Sequence, residues 1–107
     1  MKFYGLKACD TCKKALKALT AAGKEVVVTD VRADGVKIGD LQRFYDSFGE
    51  NLVNKRSTTW RNMSQEEREQ PVIDQLVSNP TLMKRPVIES DGRLYLGWTP
   101  EVQSALL

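Results

Sequence analysis

At 107 residues and 41% hydrophobic content, the chain is sized for a single compact domain spanning residues 1–107. Lys+Arg 16 against Asp+Glu 14 leaves a formal charge of +2, too small to demand nucleic acid or a membrane surface as a partner. With His 0 and Cys 2 an ordinary four-ligand zinc site cannot be assembled, so no metal is expected. The Met1-Lys2-Phe3-Tyr4-Gly5 opening lacks the apolar run of a secretory signal, and no stretch approaches the ~20 apolar residues of a membrane span. A cytoplasmic monomer without membrane or direct nucleic-acid partners is the expectation.

Lys2 to Leu6 reads as a short strand stopped by Gly5, after which Cys12, Ala15, Leu16 and Leu19 recur at helical spacing. A helix therefore begins near Cys9 and stops at Gly23. Glu25 to Thr29, with its Val26-Val27-Val28 run, reads as a buried parallel strand, completing a βαβ unit. Asp40 is a candidate cap for a second helix carrying Leu41, Phe44, Tyr45 and Phe48 and ending at Gly49. Ser64 with Glu67 makes a capping box, and Pro71 starts the next helix, so residues 37 to 80 read as a mainly helical insertion. Val87 to Ser90 and Arg93 to Leu96 flank Asp91-Gly92, a two-residue hairpin signal. Thr99-Pro100 then opens a last helix as cap and first turn. The order βαβ, helices, ββα places the chain in the α/β class.

The two cysteines stand three apart as Cys9-Asp10-Thr11-Cys12, the spacing of a redox pair rather than of two packed small hydrophobes. A useful cysteine needs its pKa held below roughly 8.5, and a helix N-terminus supplies unpaired amides and the positive end of the macrodipole. Cys9 sits at such a start, with Lys7, Lys13 and Lys14 near in sequence. Cys12 falls on the apolar stripe one turn deeper, so attack by Cys9 and resolution by Cys12 is the natural division, with reversed roles the alternative. Asp10 either repels the thiolate or caps first-turn amides. Arg56 stands in the polar, hydroxyl-rich loop Asn54-Lys55-Arg56-Ser57-Thr58-Thr59-Trp60-Arg61, suited to face an anion; Trp60 is expected to pack this loop down rather than touch substrate. Arg85-Pro86 precedes the hairpin.

The segments Gly5-Leu6-Lys7-Ala8-Cys9-Asp10-Thr11-Cys12-Lys13-Lys14-Ala15, Lys55-Arg56-Ser57-Thr58-Thr59-Trp60-Arg61 and Lys84-Arg85-Pro86 resemble the arsenate reductase (ArsC)/Spx family, and most closely its YffB-like branch. The resemblance spans nearly the whole chain. It implies a thioredoxin-like fold with a mixed four-stranded sheet and a nucleophilic Cys9. It further implies oxyanion-binding Arg56 and Arg85, a cis-proline at Pro86, and Thr11 in a supporting place. It also implies glutathione as co-substrate, with no bound cofactor, and glutaredoxin or thioredoxin as protein partner. A third family arginine near the end of the last strand is unmatched, Leu96-Gly97 standing there, which argues against arsenate as natural substrate. Two readings follow. One is a thiol-dependent reductase attacking an oxyanion or mixed disulfide. The other is an Spx-like regulator that binds RNA polymerase and switches through a Cys9–Cys12 disulfide, although Spx regulators generally continue beyond the point where this sequence stops at Leu107.

Overall fold

The computed structural model describes all of residues 1–107. In chain order the elements are β1 (Lys2–Gly5), α1 (Asp10–Ala21), β2 (Val27–Asp30), α2 (Ile38–Phe48), a 3-10 turn (Gly49–Leu52), α3 (Thr58–Asn62), α4 (Gln65–Arg68), α5 (Val72–Ser78), a second 3-10 turn (Pro80–Leu82), β3 (Val87–Ser90), β4 (Arg93–Leu96) and α6 (Pro100–Leu106). They form two compact units, one of residues 1–34 with 85–107 and the other of residues 35–84. No helix is long and apolar enough to cross a membrane.

The first unit holds a four-stranded sheet in the order β2-β1-β3-β4. β1 runs parallel to β2 and antiparallel to β3, with Phe3 opposite Val28 on one side and Ile88 on the other. The β3–β4 hairpin turns at Asp91 (φ 52) and Gly92 (φ 77), the two left-handed residues that let a two-residue turn follow the twist of its strands. Phe3 and Ile88 pack with Cys12, Ala15 and Leu19 of α1 and with Val102 and Leu106 of α6, forming the core of this unit. α6 starts where expected: the Thr99 hydroxyl accepts from the Val102 N–H, and Pro100 fills the first turn, where its missing N–H costs nothing.

β2 departs from expectation. Instead of a buried strand over Glu25–Thr29, it spans Val27–Asp30 at the sheet's edge, and Val27 and Val28 are 67% and 44% exposed. A β-branched run favours extended backbone whether or not both faces are covered. Its outer edge is occupied at one point: the Asp30 N–H donates to Asp34 Oδ2 (2.9 Å), and the Asp34 N–H donates back to the Asp30 carbonyl (2.8 Å).

The second unit is helical. α2 packs on α5, and Leu41, Phe44, Leu52, Leu76, Leu82 and Met83 are buried. Gly49, at φ 59, ends α2 in a backbone region that other residues enter only with strain. Lys37 rather than Asp40 occupies the N-cap of α2; Asp40 lies within the first turn and pairs with Arg43 at 3.0 Å. A carboxylate there still meets the positive end of the helix without capping it. The Ser64–Glu67 capping box is present, and Pro71 is the N-cap of α5. The buried Gln75 amide donates to the carbonyls of Arg68 (3.0 Å) and Gln70 (2.6 Å), holding the α4–α5 link.

Candidate active site

The turn from β1 into α1 is short because the Cys9 N–H returns to the Leu6 carbonyl (3.2 Å), while the Cys9 carbonyl accepts the Lys13 N–H (3.0 Å). Cys9 is thereby the N-cap of α1, with extended backbone (φ −80, ψ 120) and no side-chain cap bond of the kind a Ser or Asp makes. Cys9 is half-buried and Cys12 is buried at 1% exposure, and both are free thiols.

The environment separates the two sulfurs. Burial works against ionising Cys9, but the Cys12 N–H, the Cys12 thiol, and the hydrogen bond and charge of Arg85 together outweigh it, and its pKa is lowered. Cys12 moves the other way. Burial, opposed by the Leu6 backbone N–H, and then the hydrogen bond and charge of Cys9 push its thiol up to about 11. One sulfur is made easier to ionise while its neighbour is kept protonated and donates to it. The cation at Cys9 is Arg85; Lys7, Lys13 and Lys14, though near in sequence, are not among the groups acting on this sulfur, nor is Asp10. Their side chains are exposed, and solvent screens what proximity in sequence suggested.

Arg85 and Pro86 stand immediately before β3, joined by a cis peptide bond. Gly97 donates its N–H to the Pro86 carbonyl at 2.8 Å, so the Leu96-Gly97 stretch meets this segment through backbone and contributes no cation. Thr11 is exposed in the first turn of α1. Cys9, Cys12, Arg85, Pro86 and Thr11 belong to the first unit; Arg56 belongs to the second.

The Arg56 segment is only partly a loop, since Thr58–Asn62 is α3. Ser57 caps that helix, its hydroxyl accepting from the Trp60 N–H (3.1 Å) and donating to the Asn54 carbonyl (2.7 Å). Asn54 Oδ1 accepts the Arg56 N–H at 3.1 Å, fixing the backbone from which the exposed Arg56 side chain projects. Trp60 packs between Lys55 and Arg68, whose charges lie 5.6 and 5.0 Å from its ring. Lys55, Arg56 and Lys84 share a polar groove with Glu50, Asn51 and Asn54.

Two residues have a part in the site that their sequence context did not reveal. A side-chain carbon at Gly5 would lie 2.8 Å from Cys12 Sγ and 2.8 Å from Phe3 Cε1, so the place of the buried thiol depends on glycine at the end of β1. Asp30 is 8% exposed, and its Oδ1 accepts from the N–H groups of Arg32 (2.9 Å) and Ala33 (2.8 Å). The Ala33 N–H, working against burial and aided by the Arg32 N–H and by the N–H and charge of Lys7, holds this carboxyl below its usual range. An Asp closing a β-branched run is the sequence signature of such a turn.

Comparison with known proteins identifies the family and the fold. The ArsC family model matches residues 4–106. An uncharacterized protein of Haemophilus influenzae is 41% identical over 107 residues, covering 95% of this chain and 94% of that one. A solved structure described as the YFFB protein superposes with a TM-score of 0.91 at 31% identity, covering 99% of this chain and 97% of that one. The solution structure of an arsenate reductase (ArsC) related protein from Brucella melitensis gives 0.74 at 32% identity, with 97% and 91% covered. The fold is thioredoxin-like α/β with a mixed four-stranded sheet, and the chain belongs to the ArsC family, with YffB-like proteins among its structural neighbours.

Proposed function

We propose that the chain is a thiol-dependent reductase in which the Cys9 thiolate attacks an oxyanion or a mixed disulfide. The observation that carries this reading is the opposed preparation of the two sulfurs, Cys9 lowered by Cys12 and Arg85 while Cys12 is raised to about 11. On a mixed disulfide, the Cys9–sulfur bond forms as the substrate S–S bond breaks, and one half leaves as a thiolate. The charge on Cys9 is then gone, and with it two of the influences that kept Cys12 protonated. Cys12 loses its proton, attacks the Cys9 sulfur, and releases the second half of the substrate as a thiolate, leaving a Cys9–Cys12 disulfide. Two electrons from glutathione with glutaredoxin, or from thioredoxin, restore the dithiol, so no bound cofactor is needed. Arg85 holds the charge on Cys9, and Arg56 is assigned the second oxyanion contact from the family pattern. Pro86 and Thr11 shape the surroundings of the pair. A cytoplasmic, monomeric enzyme fits this chemistry.

The test is the pH dependence of Cys9 alkylation in the wild type, Cys12→Ser, Arg56→Ala and Arg85→Ala, followed by turnover of disulfide and oxyanion substrates with each reductant. A Cys9 pKa below that of a free cysteine, raised by loss of Arg85, together with turnover, is expected. An unreactive Cys9, indifferent to both arginines, refutes the reductase and leaves the disulfide switch as the alternative.

A further inference from the structure

β1 and β2 are parallel neighbours that end side by side, Gly5 being in register with Asp30. The crevice outside the carboxyl ends of parallel strands is where open α/β sheets hold ligands. Such a crevice is present here: a groove of about 380 Å³ lined by Leu6, Lys7, Ala8, Asp30, Arg32 and Ala33. One wall, Leu6 to Ala8, is the turn that delivers Cys9. Leu6 and the two alanines make the groove largely apolar, and the cations of Lys7 and Arg32 are exposed beside it. The only carboxylate in the lining, Asp30, is engaged by the N–H groups of Arg32 and Ala33. Neither cation acts on the Cys9 sulfur; the charge of Lys7 acts on Asp30 across the groove, so the activation of the nucleophile accounts for neither.

We infer that this groove is a carboxylate-recognising subsite for a small sulfur compound attacked by Cys9, with Lys7 and Arg32 as its specificity-determining residues. The inference rests on the reading of Cys9 as a nucleophile. The ligand lays its short aliphatic part along Leu6, Ala8 and Ala33, directs a carboxylate to the two cations, and presents its sulfur to Cys9. Attack forms the Cys9–sulfur bond, breaks the S–S bond of the ligand, and expels the distal half as a thiolate. Exposed ion pairs are weak and screened, so each cation is expected to contribute about threefold at low salt.

The experiment uses the full chain carrying Cys12→Ser, so that reaction stops at the mixed disulfide. Rates of Cys9 with dithiodipropionate, hydroxyethyl disulfide and cystamine report a carboxylate, an uncharged and an ammonium-bearing ligand. The readout is the ratio of the carboxylate rate to the uncharged rate, in which any change in the thiolate itself cancels. The ratio is expected to fall about threefold with Lys7→Gln or Arg32→Gln, further in the double variant, and at high salt toward the value of the double variant. A second measurement involves no reaction: methylthiopropionate should shift the amide resonances of Lys7, Arg32 and Ala33, and Lys7→Gln/Arg32→Gln should abolish the shifts. A ratio unchanged by both substitutions, with no shift at these amides, overturns the subsite and leaves Cys9 chemistry standing. A Cys9 inert to all three disulfides overturns the reductase reading and this inference with it.

Discussion

Replacing Gly5 by alanine tests how the buried thiol supports its half-buried neighbour. The added carbon would sit 2.8 Å from both Cys12 Sγ and Phe3 Cε1, roughly 0.7 Å inside ordinary contact distance for each. Neither neighbour has room to retreat, since Phe3 and Cys12 are each 1% exposed in the core of the sheet unit. Overpacking of this kind costs about 1–3 kcal/mol, and the smaller chain entropy of an unfolded alanine returns part of it. A net loss of about 1–2 kcal/mol corresponds to a melting temperature lower by about 5–10 °C for a chain of this size. Because the Cys12 thiol and N–H are donors to Cys9, displacing this sulfur should also slow Cys9 alkylation at neutral pH. Gly39→Ala is the matched control, having nothing within 4 Å of the new carbon and lying in α2, where alanine is favoured over glycine by up to about 1 kcal/mol. Thermal unfolding monitored by circular dichroism and alkylation by iodoacetamide would be measured on both variants. A Gly5→Ala protein as stable and as reactive as the wild type refutes the claim that Gly5 sets the place of the Cys12 sulfur.

Cys12→Ser keeps a donor facing Cys9 and should preserve most of its alkylation rate near neutral pH, whereas Cys12→Ala removes the donor and should slow it by about fivefold, the worth of one net hydrogen bond; equal rates in the two variants would show that the thiol is not a donor. Stability against pH carries the opposite signature of the two sulfurs. The Cys12 pKa is raised on folding from 9.0 to about 11, so its contribution is full below pH 9.0 and is lost as pH rises through about 11, on the order of 3 kcal/mol in all. Cys9 is lowered, so its contribution is present above pH 9.0 and lost as pH falls through its folded pKa. Denaturant melts of wild type minus Cys12→Ala should show the alkaline decline between pH 9.0 and 11, and a flat difference would contradict the raised thiol.

Local chemistry made much of this protein legible. The Asp91-Gly92 hairpin, the Ser64–Glu67 capping box and the Thr99-Pro100 start each depend on residues close in sequence, and each stands where expected. What failed to show depends on neighbours distant in the chain. Val26-Val27-Val28 announces a strand but not its position in the sheet; β2 pairs on one side only because β1 takes its place between β2 and β3. Asp40 is a good cap by type, yet helical backbone begins earlier, after Lys37. At the site, sequence proximity drew attention to three lysines, but the charge that acts on Cys9 comes from Arg85, brought from the far end of the chain by the pairing of β1 with β3. Gly5 and Asp30 were invisible as site residues because one acts through an absent side chain and the other through backbone amides.

The bonds exchanged between Asp30 and Asp34 bear on how the chain behaves in a crowded solution. The N–H groups of Val27, at the start of β2, and of Val31, just past its end, turn inward to the carbonyls of Met1 and Gly5, so Val28 and Asp30 carry the outward-facing polar groups. At Asp30 both are spent on Asp34, leaving Val28 as the one open rung within the strand. An edge so short, followed by a charged turn, is a poor template for a second strand, although its valines are well exposed. The carboxylate at position 34 therefore acts as a guard against strand-to-strand aggregation, letting the protein carry an apolar border without polymerising through it.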